Sequence, residues 1–301
     1  MDSRMNAWTW GLLVLLGLIW GGSFFFARIA VQHVPPLTLV FFRLLLAALA
    51  LHIYIAGRFD FYAIFKVRWP EFLILGLINN ALPHALIFFG QTRIGAGLAA
   101  ILNATTPIWT VLIANYFTSD EKLSPAKIAG CLVGLAGTVV LIGPGMSAGS
   151  QAPLWALLLP VLAAISYGFA ATYGKRFKNV PAPVTAAGQL TASSLIALPL
   201  SLLADRPWAL AAPPLDALLA ILALALLSTA FGYILYFRIM AAAGATNASL
   251  VTLLVPPSAI LLSVLFLGER LALSEFAGMA LIGFGLVILD GRAYRLLAKA
   301  A

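Results

Sequence analysis

Residues 8–27 read WTWGLLVLLGLIWGGSFFFA, a stretch without a single charged side chain. A helix needs roughly 20 apolar residues to cross the hydrocarbon core of a bilayer, so this stretch is long enough to span. No cleavage site of small residues follows it, and we therefore expect it to be the first membrane helix and not a removed leader. The fold depends on how often the chain repeats such a stretch.

The composition of the whole chain is typical of a polytopic membrane protein. Of its 301 residues, 62% are hydrophobic and only 9% are charged, and the mean hydropathy is +1.03. Soluble domains carry about 25% charged residues because they need a polar shell. The runs do not alternate polar and apolar residues, as the strands of a membrane barrel would. We predict an all-α membrane protein with ten transmembrane helices, near residues 8–27, 38–56, 72–91, 98–117, 126–143, 153–173, 184–204, 213–236, 246–267 and 274–290.

The basic residues predict how these helices are oriented. If the N-terminus is cytoplasmic, 13 of the 18 Lys and Arg residues fall in cytoplasmic segments and four fall in outer loops. Arg43 belongs to neither group because it lies inside the second helix. Basic residues accumulate on the cytoplasmic side of membrane proteins, so both termini are expected inside. The net charge of +8 is then explained by loops that face anionic lipid, and no nucleic-acid partner is predicted.

The second half of the chain repeats the first at a shift of 146 to 149 residues. The matched segments are Val34-Pro35 with Val180-Pro181, Asn79–His84 with Ser228–Tyr233, and Pro107 with Pro256. Each half holds five spans, an odd number, so the second copy must enter the membrane from the opposite side. We predict two inverted repeats, residues 1–146 and 147–301, which are joined near residues 143–153 and enclose a central cavity.

Several short motifs resemble those of the EamA-type members of the drug/metabolite transporter superfamily. They are Leu18–Phe24 (LIWGGSF) in the first helix, Phe42-Arg43 in the second, Gly268-Glu269-Arg270 before the tenth, and the Ala-Gly…Gly pattern of helices five and ten. The resemblance covers nearly the whole chain, and within the family it is strongest to the aromatic amino acid exporters. It implies ten helices in the inner membrane, cytoplasmic termini, and export of amino acids through a central cavity.

Polar and aromatic side chains inside the spans are the candidates for substrate contact, since they are costly in lipid unless they face a cavity or a partner. The candidate substrate-binding residues are His84, Asn80, Trp109, Trp20, Tyr167, Tyr233 and Arg43. Each has a structural alternative. The polar residues could join helices by hydrogen bonds, the aromatic ones could simply pack, and Arg43 could extend its charge to the membrane interface.

The stretch around Pro83 carries the most specific of these predictions. Asn80 and His84 are spaced i, i+4 and would share one helix face. Pro83 removes a backbone hydrogen bond, which leaves a carbonyl that needs another partner. The duplicate keeps the design with Thr229 and Tyr233. We therefore predict a substrate-facing wall to which both halves contribute.

Other features also favour a carrier. Trp109 lies mid-span, where an indole offers a stacking surface to an aromatic or cationic ligand. The guanidinium of Arg43 would fit a substrate carboxylate. Pro107 and Pro256 lie at matched places and would act either as hinges or as fixed bends. The spacing Gly130-x-x-x-Gly134 is typical of a close helix crossing.

Some residue types are missing from the spans. All ten acidic residues fall in loops or at helix ends, so no carboxylate is available mid-membrane for proton coupling. We expect facilitated diffusion, or coupling through His84, because histidine titrates near neutral pH. No metal motif, cofactor motif or nucleophile–base pair is present, and Cys131 is the one cysteine.

The leading prediction is therefore an exporter of amino acids, aromatic ones favoured, that acts as a monomer in the lipid bilayer. The alternatives are a carrier of another metabolite or of cationic drugs, and an intramembrane enzyme or scaffold that transports nothing.

Overall fold

The computed structural model describes residues 7–117, 123–142, 152–243, 248 and 250–290. Within these residues the chain is helical and contains no strand. Seven of the described helices are long and apolar enough to cross a membrane: α1 (Ala7–Ala30), α2 (Pro36–Ile55), α3 (Phe61–Gln91), α4 (Ala96–Phe117), α6 (Leu154–Phe177), α7 (Ala182–Asp205) and α8 (Leu215–Ala243). The shorter apolar helices in the same numbering are α5 (Pro125–Ile142), α9 (Val251–Leu267) and α10 (Leu273–Asp290).

Each predicted apolar run overlaps one of these helices, and the largest difference in a boundary is at the start of α3. This helix begins at Phe61, about three turns before the predicted residue 72. Charged side chains lower the hydropathy of its first turns but do not prevent helix formation. Asp60 caps the helix by accepting a hydrogen bond from Ala63 N at 3.2 Å, and Arg68 pairs with Glu71 one turn later. The predicted start of the ninth run and residues 143–151 of the predicted linker lie outside the described residues.

The buried core lies mainly between the first and second halves of the chain. Helix α2 packs on α7, α1 packs on α8 and α9, and α3 packs on α6 and α7. Helix α4 packs on α6 and α9. Leu39 and Leu44 on α2 and Leu190 on α7 are fully buried members of one apolar cluster. The halves therefore share a core.

Helices α5 and α10 cross through glycine. A Cβ atom at Gly285 would lie 2.6 Å from Gly134 N and 2.7 Å from Gly130 O. A Cβ atom at Gly137 would lie 2.8 Å from Gly278 O. Side chains cannot approach backbone this closely, so only the hydrogen of glycine fits. The Gly130-x-x-x-Gly134 spacing does form the close crossing that it predicts.

Two helices depart from α geometry at matched places in the two halves. Helix α3 takes a wide π turn over Leu77–Ala81, and α8 takes one over Ala223–Phe231. The turn of α3 lies directly before Pro83, which cannot donate a backbone hydrogen bond. The Ile78 carbonyl accepts a hydrogen bond from Ser166 Oγ at 2.7 Å. A carbonyl of this irregular turn thus finds its partner on α6, as a membrane span requires.

Candidate functional site

A cavity of about 390 Å³ lies between the two halves. Helices α1, α2, α3, α4, α6, α8 and α9 contribute to its wall. Its polar and aromatic wall residues are Trp20, Ser23, Phe24, Arg43, Asn79, His84, Phe88, Gln91, Asn103, Thr106, Tyr167, Ser228, Thr229, Tyr233, Tyr236 and Thr252. The volume falls in the range of small-molecule pockets, and a helix bundle is a common place for one.

Arg43 points into this cavity and not towards the membrane interface. Its side chain is 8% exposed, and its Nε donates a hydrogen bond to Thr229 Oγ1 at 3.0 Å. Among the described residues, Thr229 is its one hydrogen-bond partner. The guanidinium carbon lies 5.6 Å from the ring centroid of Phe88, and Tyr167 and Tyr233 line the same cavity. The two Nη groups therefore remain available to a ligand.

The π turn of α3 changes which asparagine reaches the cavity. The i, i+4 spacing predicts that Asn80 accompanies His84, but the wall contains Asn79 and His84. Because a π turn adds a residue to the helical repeat, residues spaced i, i+5 share a face across it. Asn80 is instead buried, and its Oδ1 accepts a hydrogen bond of 3.5 Å from Tyr233. Asn80 therefore lies directly behind the wall residue Tyr233 in this structure, and its contact with substrate stays a prediction.

A hydrogen-bond chain joins the two halves behind the wall. Asn79 Nδ2 donates to Gln189 Oε1 at 2.8 Å, and Gln189 Nε2 donates to the Tyr233 hydroxyl at 3.3 Å. The Tyr233 hydroxyl in turn donates to Asn80 Oδ1. This chain ties α3 to α7 and α8, so these polar residues have a structural role and two of them also line the cavity.

Aromatic rings form another part of the wall. The indole of Trp20 stacks on Tyr236 with ring centroids 5.5 Å apart. A Cβ atom at Gly232 would lie 2.5 Å from Trp20 Nε1, so the glycine gives the indole its space. Tyr233 stacks on Phe237 at 5.8 Å. Sequence reasoning missed Tyr236, although its i, i+3 spacing from Tyr233 on α8 could have indicated it.

The structure places Trp109 outside the cavity wall. Its Nε1 donates to Thr105 Oγ1 at 3.2 Å, and its backbone lies against α6, where a Cβ atom at Gly168 would be 3.1 Å from Trp109 C. The helix is interrupted at Ala104-Thr105, directly before this segment. Thr106 and Pro107, directly after the interruption, line the cavity, whereas Trp109 packs on α6. A contact between Trp109 and substrate stays a prediction.

The two matched prolines both line the cavity but differ in local structure. Helix α4 consists of the segments Ala96–Asn103 and Thr106–Phe117, and Pro107 follows the break between them. Helix α9 runs without a break from Val251 through Pro256. The helix is therefore interrupted just before Pro107 and continuous through Pro256, and the hinge or fixed bend at each proline stays a prediction.

Gln91 and Asn103 are wall residues that sequence reasoning did not select. Gln91 is 0% exposed, and its Nε2 donates to the Phe24 carbonyl at 2.8 Å. Within the described residues, its Oε1 has no hydrogen-bond partner, and neither does Asn103 Oδ1. The i, i+7 spacing of His84 and Gln91 places both on one face of α3, and this could have indicated Gln91 as a wall residue.

Side-chain hydrogen bonds of Glu269 and Asp205 join elements of the two halves. Glu269 accepts hydrogen bonds from Ala96 N at 2.9 Å and Gly97 N at 3.2 Å, and so it caps α4 from the loop before α10. Thr38 N donates to Asp205 Oδ2 at 2.7 Å. Both contacts join a helix of the first half to an element of the second half.

The profile of the EamA-like transporter family matches the chain twice, over residues 8–143 and over residues 154–289. A solved crystal structure has the same fold, with a TM-score of 0.67, 21% sequence identity, and coverage of 95% of this chain and 98% of that one.

Three relatives are similar over almost their whole length. An "Uncharacterized transporter" of Archaeoglobus fulgidus is 25% identical, with 93% of this chain and 97% of the relative aligned. The "Uncharacterized inner membrane transporter YedA" of Escherichia coli K12 is 27% identical, with 96% and 92% aligned. A "Probable amino-acid metabolite efflux pump" of Salmonella typhimurium LT2 is 26% identical, with 92% and 93% aligned. The two family matches cover most of the sequence, and the chain belongs to the EamA-like transporter family.

Proposed function

We propose that this protein exports amino acids, aromatic ones favoured, across the inner membrane by alternating access and without a coupled ion. The observation that carries the proposal is the wall of the cavity, which places the buried cation of Arg43 among aromatic rings. A guanidinium has the planar fork that suits a carboxylate. Trp20 and Tyr236 offer stacked rings to an aromatic side chain.

The proposed architecture is ten spans in two inverted repeats, with both termini in the cytoplasm. Two observations support it. The family profile matches each half separately, and the π turns of α3 and α8 occur at corresponding places. Transporters built from such repeats bind their substrate between the halves, near the midplane. We propose a monomer as the working unit.

The relatives support the substrate class and the membrane. The Salmonella typhimurium relative is named for amino-acid metabolite efflux, and the Escherichia coli relative is named as an inner membrane protein. Among the described wall residues there is no carboxylate. A substrate with only a positive charge would meet the guanidinium of Arg43 with no acidic wall side chain to offset it, so the cationic alternative is disfavoured.

The proposal is tested by uptake into proteoliposomes. Radiolabelled Phe, Trp, Met, Thr and a quaternary amine are compared with and without a pH gradient. We expect saturable uptake of Phe and Trp that the gradient does not drive, and no uptake of the quaternary amine. Replacing Arg43 with Met should abolish uptake while the protein still reaches the membrane. Absence of any amino-acid uptake would overturn the substrate class, and accumulation driven by the gradient would overturn the passive mechanism.

A further inference from the structure

The cavity wall carries buried polar atoms that no described residue satisfies with a hydrogen bond. Gln91 Oε1, Asn103 Oδ1 and His84 Nδ1 are buried, and among the described residues none of them has a partner. Buried polar atoms without partners are uncommon in native structures because they lose their hydration without compensation. All three residues line the same cavity. A group that enters the cavity can supply the missing hydrogen bonds.

The chemistry of that group follows from the orientation of Gln91. Its amide nitrogen donates to the Phe24 carbonyl at 2.8 Å, which fixes the amide so that the oxygen remains unpaired. An amide oxygen can only accept hydrogen bonds. Gln91 therefore requires a donor, and the unpaired oxygen of Asn103 on α4 requires one as well. An ammonium group offers three donors and matches two such oxygens.

The position of these acceptors relative to Arg43 suits a compact zwitterion. The guanidinium carbon of Arg43 lies 5.6 Å from the Phe88 ring centroid. Phe88 and Gln91 are one helical turn apart on α3, which is about 5 Å along the axis. Arg43 and Gln91 thus both adjoin Phe88 on the wall of one cavity. Trp20 lies one turn before Phe24 on α1 and lines the same cavity.

We propose that Gln91 and Asn103 form an ammonium subsite beside the carboxylate subsite of Arg43, so that the substrate is an α-amino acid held at both ends of its head group. This inference rests on the proposed function and narrows it. The side chain of the substrate then extends towards Trp20 and Tyr236. A ligand that lacks the ammonium leaves the two amide oxygens unpaired, and a ligand that lacks the carboxylate brings a cation to Arg43 without compensation.

Substrate analogues test this inference on the unaltered protein. L-phenylalanine, 3-phenylpropionate and 2-phenylethylamine share the ring but differ in the head group. 3-Phenylpropionate and 2-phenylethylamine each keep one charged group of the head group. We expect each of them to need an about tenfold or more higher concentration than unlabelled L-phenylalanine to halve the uptake of labelled L-phenylalanine. If 3-phenylpropionate competes equally well, the ammonium subsite is wrong while the transport proposal stands. If none of the three is bound or carried, the proposed function fails and the subsite fails with it.

Variants of Asn103 give a second measurement. Asn103→Leu should lower the affinity for L-phenylalanine about tenfold and leave the affinity for 3-phenylpropionate unchanged. Asn103→Asp keeps an acceptor oxygen and should preserve the preference for L-phenylalanine over 3-phenylpropionate. Asn79→Leu is the matched control, because the amide nitrogen of Asn79 is already bonded to Gln189. Asn79→Leu should change the affinities for L-phenylalanine and for 3-phenylpropionate by the same factor. An equal loss for both compounds in Asn103→Leu would overturn the subsite.

Discussion

Arg43 Nε and Thr229 Oγ1 are 3.0 Å apart, and this hydrogen bond joins α2 to the π turn of α8. The Thr229 hydroxyl donates its own hydrogen to the Leu224 carbonyl at 2.7 Å, which lies one π turn earlier. Its lone pair therefore faces Arg43 in a fixed direction. Thr229 is a positioning residue that orients the guanidinium towards the cavity. The irregular turn of one half thus sets the geometry of the cation supplied by the other.

Replacing Thr229 with Val removes this acceptor and nearly preserves the shape of the side chain. We expect the KM for L-phenylalanine to rise about three- to tenfold, because one hydrogen bond to a charged group is lost. Thr229→Ser keeps the hydroxyl and should stay close to the parent protein. The measurement is initial uptake rate against substrate concentration in proteoliposomes. Equal kinetics for the Val and Ser variants would contradict the positioning role.

Replacing Gly232 with Ala should disturb substrate binding without a contact to the substrate. The new Cβ atom would lie 2.5 Å from Trp20 Nε1, so the indole must move and its stacking on Tyr236 is altered. We expect a several-fold higher KM for aromatic amino acids. The matched control is Gly174→Ala on α6, where nothing lies within 4 Å of the new atom. If the two variants behave alike, the fit between Gly232 and Trp20 has no bearing on binding.

The crossing of α5 and α10 predicts a large contrast between two nearby glycines. A side chain at Gly285 would meet the backbone of Gly134, whereas nothing lies within 4 Å of a Cβ atom at Gly283. Gly285→Leu should destabilise the protein by about 1–3 kcal/mol or more through overpacking. Gly283→Leu should melt near the parent temperature. Thermal unfolding in detergent measures both, and the same melting temperature for the two variants would be inconsistent with the close crossing.

Glu269 caps α4 across the two halves, and its removal should loosen the start of that helix. Glu269→Ala loses two hydrogen bonds to backbone N–H groups, and loss of a helix cap costs about 1 kcal/mol. Hydrogen exchange at the amides of Ala96 and Gly97 should become faster. Glu275→Ala is the control, because Glu275 accepts from Ala272 N within its own turn at 2.7 Å. Unchanged exchange in Glu269→Ala would show that the cap does not protect α4.

Much of the fold could be predicted because hydropathy reports directly on burial in lipid. Residues 8–27 coincide closely with α1, and the predicted second run coincides with α2. The start of α3 could not be predicted in this way. Its first turns contain Arg68 and Glu71, which lower the hydropathy but pair with each other at the end of the bundle. A hydropathy value counts each charged residue separately and does not include the ion pair between Arg68 and Glu71.

The site was predicted less completely, because wall residues depend on local departures from regular geometry. Arg43, His84 and Tyr233 were expected on the wall and line it. The prediction for Asn80 assumed an unbroken α-helix, and the prediction for Trp109 assumed a continuous α4. Gln91 and Asn103 carry no distinguishing motif. Their relevance depends on which of their atoms lack partners, and only coordinates show this.

The π turn of α3 also determines which changes in chain length the cavity can survive. A π turn holds one residue more than the α turn it replaces. Deleting one residue within Leu77–Ala81 would therefore let the helix become regular while the segments on either side keep their facing directions. Deleting one residue between His84 and Gln91 would instead rotate everything beyond it by about 100°. The π turn therefore acts as a one-residue insertion in α3. Removing it would also remove Asn79 from the cavity wall.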